Sequence, residues 1–213
     1  MKAAIVGSTG FIGKLLLNLL KDDSDFESVA VLARRKIELD PKFNMLVGDL
    51  KEQELPATDV AFCALGTTMK TAGSKEAFYH VDHDLVLDFA QKAKAAGTKT
   101  FVMVSSVGAD AESSNYYLKV KGETEASLEQ IGFNSLIILR PSMLMGDRQE
   151  FRFGELIGKA AMTVFNPLML GGLTKYKGIQ GKTVARCMQQ LAKQELAGVH
   201  VLEGEQLFAF QSS

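Results

Sequence analysis

The chain of 213 residues carries 24 Lys and Arg against 25 Asp and Glu, a formal net charge of −1. That balance excludes the strongly basic face of a nucleic-acid binder. Its two cysteines, Cys63 and Cys187, give neither a disulfide framework nor a zinc spacing, and no apolar run is long enough to span a bilayer.

The apolar run Ala3–Val6 comes almost at once and is a predicted strand, which leaves no room for a signal peptide and makes the cytoplasm the expected compartment. Gly7-Ser8-Thr9-Gly10-Phe11-Ile12-Gly13 follows it and opens a predicted helix, Phe11–Lys21. Strands are then expected at Ser28–Leu32, Asn44–Val47 and Val60–Ala64, each short and rich in Val, Leu or Phe. A helix over Lys75–Ala96 carries the stripe Leu85, Phe89, Ala93 and Ala96, and Gly97 ends it. Beyond it come a strand at Lys99–Val104, a helix at Ser114–Gln130 and a strand at Ser135–Leu139. Helices at Glu150–Val164 and Gly181–Gln194 complete the pattern. Such alternation predicts an α/β fold, a doubly wound parallel sheet with right-handed crossovers. With no repeat, linker or low-complexity tract, residues 1–213 read as a single domain, in which about 140–213 supply a substrate pocket or lid.

The strand ends carry the chemistry. After the first strand, Gly7 permits a tight turn and Gly10 lets backbone approach a pyrophosphate. Gly13 lets the new helix pack closely, its free N–H groups and positive dipole end facing the phosphates. The spacing Gly-x-x-Gly-x-x-Gly resembles the short-chain dehydrogenase/reductase superfamily, which implies a Rossmann-type NAD(P)-binding sheet. At the end of the second strand, Arg34 and Arg35 stand where an acidic residue would bind the ribose hydroxyl of NAD. Guanidinium there suits a 2′-phosphate, so the expected cofactor is NADP(H). Asp49, before Leu50, is placed either to accept from the adenine amino group or to cap a helix. Leu65-Gly66-Thr67, after the fourth strand, lets the chain pass close to the adenine ribose and pyrophosphate.

Candidate catalytic residues come next. Carbonyl reduction needs a proton donor for oxygen, and a phenol with a pKa of about 10 serves at neutral pH only if its anion is stabilised. Lys121 lies four residues after Tyr117, on the same face of the predicted helix, and is also in reach of the nicotinamide ribose. Tyr116 has Val120 at that position instead. Ser105 or Ser106, at the end of the fifth strand, would polarise the substrate oxygen, with Ser106 preferred.

Three stretches in order narrow the likeness: Cys63-Ala64-Leu65-Gly66-Thr67-Thr68, Ser105-Ser106-Val107-Gly108-Ala109-Asp110, and Ser114 to Glu123 around Tyr117 and Lys121. With Arg140-Pro141 and Gly146-Asp147-Arg148-Gln149-Glu150, they resemble a small atypical short-chain dehydrogenase group that includes the human Tat-interacting protein. The resemblance covers residues 1 to about 160 and implies an NADPH-binding Rossmann domain with Tyr117 and Lys121 in its active site. It further implies that Pro141 and Leu144 pass beside the nicotinamide, and that Arg148 and Arg152 flank the pocket for a phosphate or an anionic substrate. The expected activity is hydride transfer to or from a small carbonyl or alcohol. An NADPH sensor acting through a protein partner is the second expectation, and nucleotide-sugar epimerase or dehydratase chemistry ranks below both. His80 and His83 lack a third metal ligand, so no metal site is predicted. Met143, Met145, Met162 and Met169 read as core or pocket wall, and Phe151, Phe153, Phe165 and Leu168–Leu173 as a substrate lid or a dimer surface.

Overall fold

The computed structural model describes residues 1–146, 177–194 and 196–211. Among these, β1 (Lys2–Val6), β2 (Ser28–Ala33), β3 (Phe43–Val47), β4 (Val60–Cys63), β5 (Thr100–Val104), β6 (Ser135–Arg140) and β9 (Gly198–Glu203) form one parallel sheet. Its spatial order is β3-β2-β1-β4-β5-β6-β9. The chain steps outward from β1 to β3 and then returns to the other side of β1. The strand order therefore reverses between β1 and β4, and in such sheets the crevice at the strands' carboxyl ends is where ligands bind. The expected doubly wound α/β fold is what the structure has.

Alternation along the strands sorts the core onto two faces, because successive side chains point oppositely. Ile5, Val31, Phe62 and Ile137 face α1 (Phe11–Asp22) and α6 (Gly181–Ala192), where Leu16, Leu20, Val184 and Met188 are buried. Ala4, Ala61, Phe101 and Ile138 face the other way, onto Phe89 of α4 (Leu85–Ala95) and Leu128 of α5 (Tyr116–Ile131). The carboxyl end of α1 is closed from outside the helix: Lys42 Nζ donates to the carbonyls of Leu20 (2.7 Å), Lys21 (3.1 Å) and Asp23 (2.5 Å). A cation there satisfies acceptors that the last turn leaves open and meets the negative end of the dipole.

Three departures from the expected elements bear on the site. The helix expected over Lys75–Ala96 is not continuous. Short α2 (Met69–Ala72) precedes α3 (Lys75–Tyr79), and a π turn, His80–Asp84, joins α3 to α4. The strand β9, on which no element was expected, adds to β6 in parallel from Ser135↔Gly198 to Arg140↔Glu203. Finally, β7 (Leu144–Met145) and β8 (Ile179–Gln180) pair in a two-stranded ribbon, while α7 (Glu205–Phe208) follows β9. The expected helix Glu150–Val164, with Phe151, Phe153, Phe165 and Leu168–Leu173, lies outside the described residues.

Both cysteines are buried, and burial comes first among the causes that push each thiol up to about 12. A thiol that resists ionisation is a poor nucleophile. Iodoacetamide at neutral pH should therefore leave Cys63 and Cys187 unlabelled in the native protein and label both in urea, as read by intact mass. Labelling of the native protein would contradict their burial.

Candidate functional site

The glycine turn divides its work in three. Gly7 sits at φ +80°, and a Cβ on it would lie 2.4 Å from the Ala64 carbonyl carbon. A Cβ on Gly13 would lie 2.2 Å from the Gly7 carbonyl oxygen. These two glycines are demanded by the protein's own packing. Gly10 is different: its Cβ would come no nearer than 3.2 Å to any atom, a tight contact rather than a collision. It is also the N-cap of α1 and supplies no capping side chain, so the first N–H groups of that helix face the crevice without a side-chain acceptor. Ser8 Oγ is buried beside them with no hydrogen-bond partner among the described residues. A bare helix end, an orphaned hydroxyl and a glycine whose Cβ only crowds the turn are what a pyrophosphate between Gly7 and Gly13 requires. The residues present fit a dinucleotide.

An open cleft of about 810 Å³ lies at the carboxyl ends of β1, β4, β5 and β6. It draws together Phe11 and Ile12 from α1, Leu65-Gly66-Thr67 after β4, Ser105 and Ser106 after β5, Tyr117 and Lys121 from α5, and Pro141 and Leu144 after β6. Eleven residues picked from sequence thus share one wall-to-wall space. Met143 lines it too, whereas Met145 is 41% exposed. Arg34, Arg35 and Asp49 follow β2 and β3 and are exposed, away from the cleft wall, while Leu50 is buried in the core. Asp49 Oδ1 accepts from the Lys51 N–H at 2.9 Å, so its side chain closes a local turn. No helix starts there, so the bond is a turn contact and not the helix cap of the alternative reading. Arg148, Arg152, Met162 and Met169 lie outside the described residues.

Backbone bonds fix the cleft's walls. Ser105 N–H donates to Leu139 O at 2.7 Å and Val107 N–H to Pro141 O at 3.0 Å, so the two strands run on side by side past β5 and β6. Ile179 N–H donates to Met143 O at 2.9 Å, tying the 141–145 segment to β8. Asn115 starts α5 by accepting from the N–H groups of Tyr117 (3.0 Å) and Leu118 (3.3 Å), which sets Tyr117 in the first turn. The Tyr117 ring packs on Phe78 at a centroid distance of 5.5 Å.

The two serines are not equivalent. Ser105 Oγ donates to Glu125 Oε1, and Glu125 is in turn gripped by Arg140, whose Nε reaches both carboxylate oxygens at 3.1 Å and whose Nη2 reaches Oε2 at 2.5 Å. Bonding to Glu125 holds the Arg140 guanidinium above its usual range. Ser106 Oγ has only a 3.4 Å contact with the Val107 carbonyl, at the limit of a hydrogen bond.

Lys121 is the residue the structure enriches most. It is 4% exposed, and its Nζ lies 2.7 Å from Asp82 Oδ1, a carboxylate with no exposed surface at all. Burial disfavours the ammonium, but Asp82 first and then Tyr117 outweigh it, so the Lys121 pKa is raised. Neither Asp82 nor Glu125 was picked out from sequence. Asp82 was hidden by the π turn, although it stands seven residues before Phe89 on the face that α4 buries. Glu125 continues the four-residue stripe of Tyr117 and Lys121 along α5. His80 and His83 each bring Nδ1 to Asp84, at 3.3 and 2.9 Å.

No helix among the described residues is long and apolar enough to cross a membrane. A protein-family model described as NAD(P)H-binding matches residues 7–161. Protein HTATIP2 of Rattus norvegicus is 42% identical, over 73% of this chain and 67% of the relative. "Protein FMP52, mitochondrial" of Coccidioides immitis is 38% identical, over 77% of this chain and 76% of the relative; the compartment in its name is that protein's. Among solved structures, human epimerase family protein SDR39U1 with NADPH superposes with a TM-score of 0.67 at 18% identity, covering 94% of this chain and 73% of that one; it shows the fold alone. The family model and the two sequence relatives settle the kinship: the chain belongs to the NAD(P)H-binding family that includes HTATIP2 and FMP52.

Proposed function

We propose that the protein is an NADP(H)-dependent oxidoreductase of the short-chain dehydrogenase/reductase type, acting on a small carbonyl or alcohol. The observation that carries this is the convergence of Ser106, Tyr117 and Lys121 on one cleft beside the glycine turn. When bound, NADP(H) supplies or accepts the hydride. The chain's own part is to hold and to protonate. Ser106 polarises the substrate oxygen; supporting it over Ser105 is the commitment of the Ser105 hydroxyl to Glu125. The Tyr117 hydroxyl gives that oxygen a proton in reduction and takes one in oxidation. Lys121 places an ammonium one turn from Tyr117 on α5, where it offsets negative charge that develops on oxygen during the proton transfer. Residues Phe11 to Gly13 present backbone N–H groups to the pyrophosphate, and Pro141 and Leu144 bound the nicotinamide side.

Arg34 and Arg35 select the 2′-phosphate in this reading. Among the described residues, no hydrogen bond or ion pair engages either guanidinium, so both are available to a ligand. Each charge-assisted hydrogen bond is worth about 1.5–3 kcal/mol, so Arg34→Ala/Arg35→Ala should weaken NADPH binding by about 100-fold. NADH binding should stay within about twofold, because NADH lacks the phosphate. Fluorescence titration of both nucleotides on both proteins makes the test, and NADH binding the wild type as tightly as NADPH would refute the selection. A panel of aldehydes, ketones and quinones belongs beside it. Tight NADPH binding without turnover anywhere would favour a sensor that reports to a protein partner.

A further inference from the structure

Asp82 poses a physical problem. A wholly buried carboxylate is costly unless charge and hydrogen bonds compensate it, and here the compensation comes from two different parts of the cleft. Oδ2 accepts the Thr67 N–H at 2.8 Å, from the loop after β4. Oδ1 meets Lys121 Nζ at 2.7 Å, from α5, in a buried ion pair, and Oδ1 has no other partner among the described residues. The Asp82 carbonyl also receives Thr124 Oγ1 at 3.0 Å, one turn along α5 from Val120. The π turn makes these contacts possible together, since a π turn re-aims a helical side chain and often marks a functional site. One residue thus joins the loop expected to hug the cofactor to the helix that carries Tyr117 and Lys121.

We infer that Asp82 is a positioning residue that holds the Lys121 ammonium charged and aimed into the cleft, so that cofactor binding stays constant as pH rises. The inference rests on the reading that Lys121 meets the nicotinamide ribose. The ionisable groups facing Lys121 are few. Asp82 comes from the π turn, Tyr117 from its own helix, and Cys63 from β4, whose thiol stays neutral with a pKa of about 12. Glu125, one turn along α5, is taken by Arg140 of β6, and His80, His83 and Asp84 pair with one another. Without the Asp82 charge, burial favours the neutral amine against only the weaker pull of Tyr117 and Cys63.

Asp82→Asn keeps the side chain's size and an oxygen for Thr67 N–H, and removes only the charge. NADPH dissociation constants measured by fluorescence at about pH 7.5 and about pH 9.5 should agree within about twofold for the wild type. For Asp82→Asn the value at the higher pH should be weaker by about tenfold, the worth of a hydrogen bond made by a charged donor. Repeating the pair in a Tyr117→Phe background takes the phenol out of the comparison. Equal pH ratios in wild type and Asp82→Asn would overturn the inference. Lysine-selective 13C NMR follows the Lys121 charge directly and needs no bound cofactor. The signal should not titrate in the wild type up to about pH 10, and should titrate below that in Asp82→Asn. Titration of Lys121 in the wild type below about pH 10 would overturn the inference even if the variant failed to fold. Lys121→Met separates the two ideas: unchanged NADPH affinity there would refute the ribose contact, while the NMR titration still decides the hold of Asp82 on Lys121.

Discussion

Tyr117→Phe should lower turnover by about 10³-fold while shifting the NADPH dissociation constant by less than about twofold. General acid–base groups contribute about 10²–10⁴-fold to a rate, and the substitution removes only the hydroxyl. The ring contact with Phe78 survives in phenylalanine, and the Asn115 cap bonds the Tyr117 backbone rather than its side chain. Folding should therefore be preserved, and thermal melting would verify it. Steady-state kinetics with the best substrate from the carbonyl panel, alongside NADPH titration, reads the two effects separately. Turnover equal to wild type would remove Tyr117 from the chemistry and leave the cleft as a nucleotide site. A loss of NADPH affinity equal to the loss in turnover would instead make Tyr117 a binding residue. Lys121→Met is the companion variant, and it should lose both, because Lys121 is assigned both the charge that develops on oxygen and the ribose.

The features that sequence made legible are local ones. Ala3–Val6 into Gly7, Gly10 and Gly13 is readable because a strand, a turn and a helix start each leave a signature within a dozen residues. Ser105-Ser106 and the Tyr117/Lys121 pair are readable because strand ends and the four-residue helical period place side chains predictably. What escaped depends on tertiary structure. Asp82 sits in a π turn that no periodicity reveals, and its meaning comes from Thr67 and Lys121, 15 and 39 residues away in the chain. The choice between Ser105 and Ser106 turns on Glu125, whose carboxylate is aimed by Arg140 from a different strand. β9 is an edge strand with Val199 and Val201 exposed, so it lacks the dense apolar run that marks the central strands. It exists because β6 offers it an edge.

Gly122 carries the last and least obvious expectation. It lies in the middle of α5, next to Lys121, where replacing glycine by alanine ordinarily stabilises a helix by about 1 kcal/mol. The structure reverses the sign. A Cβ on Gly122 would stand 2.2 Å from the Ala111 nitrogen and 2.3 Å from the Asp110 carbonyl carbon, backbone atoms that no rotamer change can move aside. Either α5 or the loop that follows Ser105 and Ser106 must shift, and the loop is pinned to α5 by Asp110 N–H on Leu118 O at 3.1 Å. Overpacking of this kind costs about 1–3 kcal/mol. At about 2–4 °C per kcal/mol for a chain of this size, Gly122→Ala should lower Tm by about 5–10 °C. Displacing Ser106 from Tyr117 and Lys121 by about 1 Å should lower turnover by about 10²-fold. Gly132→Ala is the control: φ is +72° at the end of the same helix, but a Cβ there meets nothing within 4 Å. It should cost about 1 kcal/mol of stability and leave turnover untouched. If Gly122→Ala instead melted higher than wild type, helix propensity would have won, and α5 would not be packed against the serine loop as closely as its role requires.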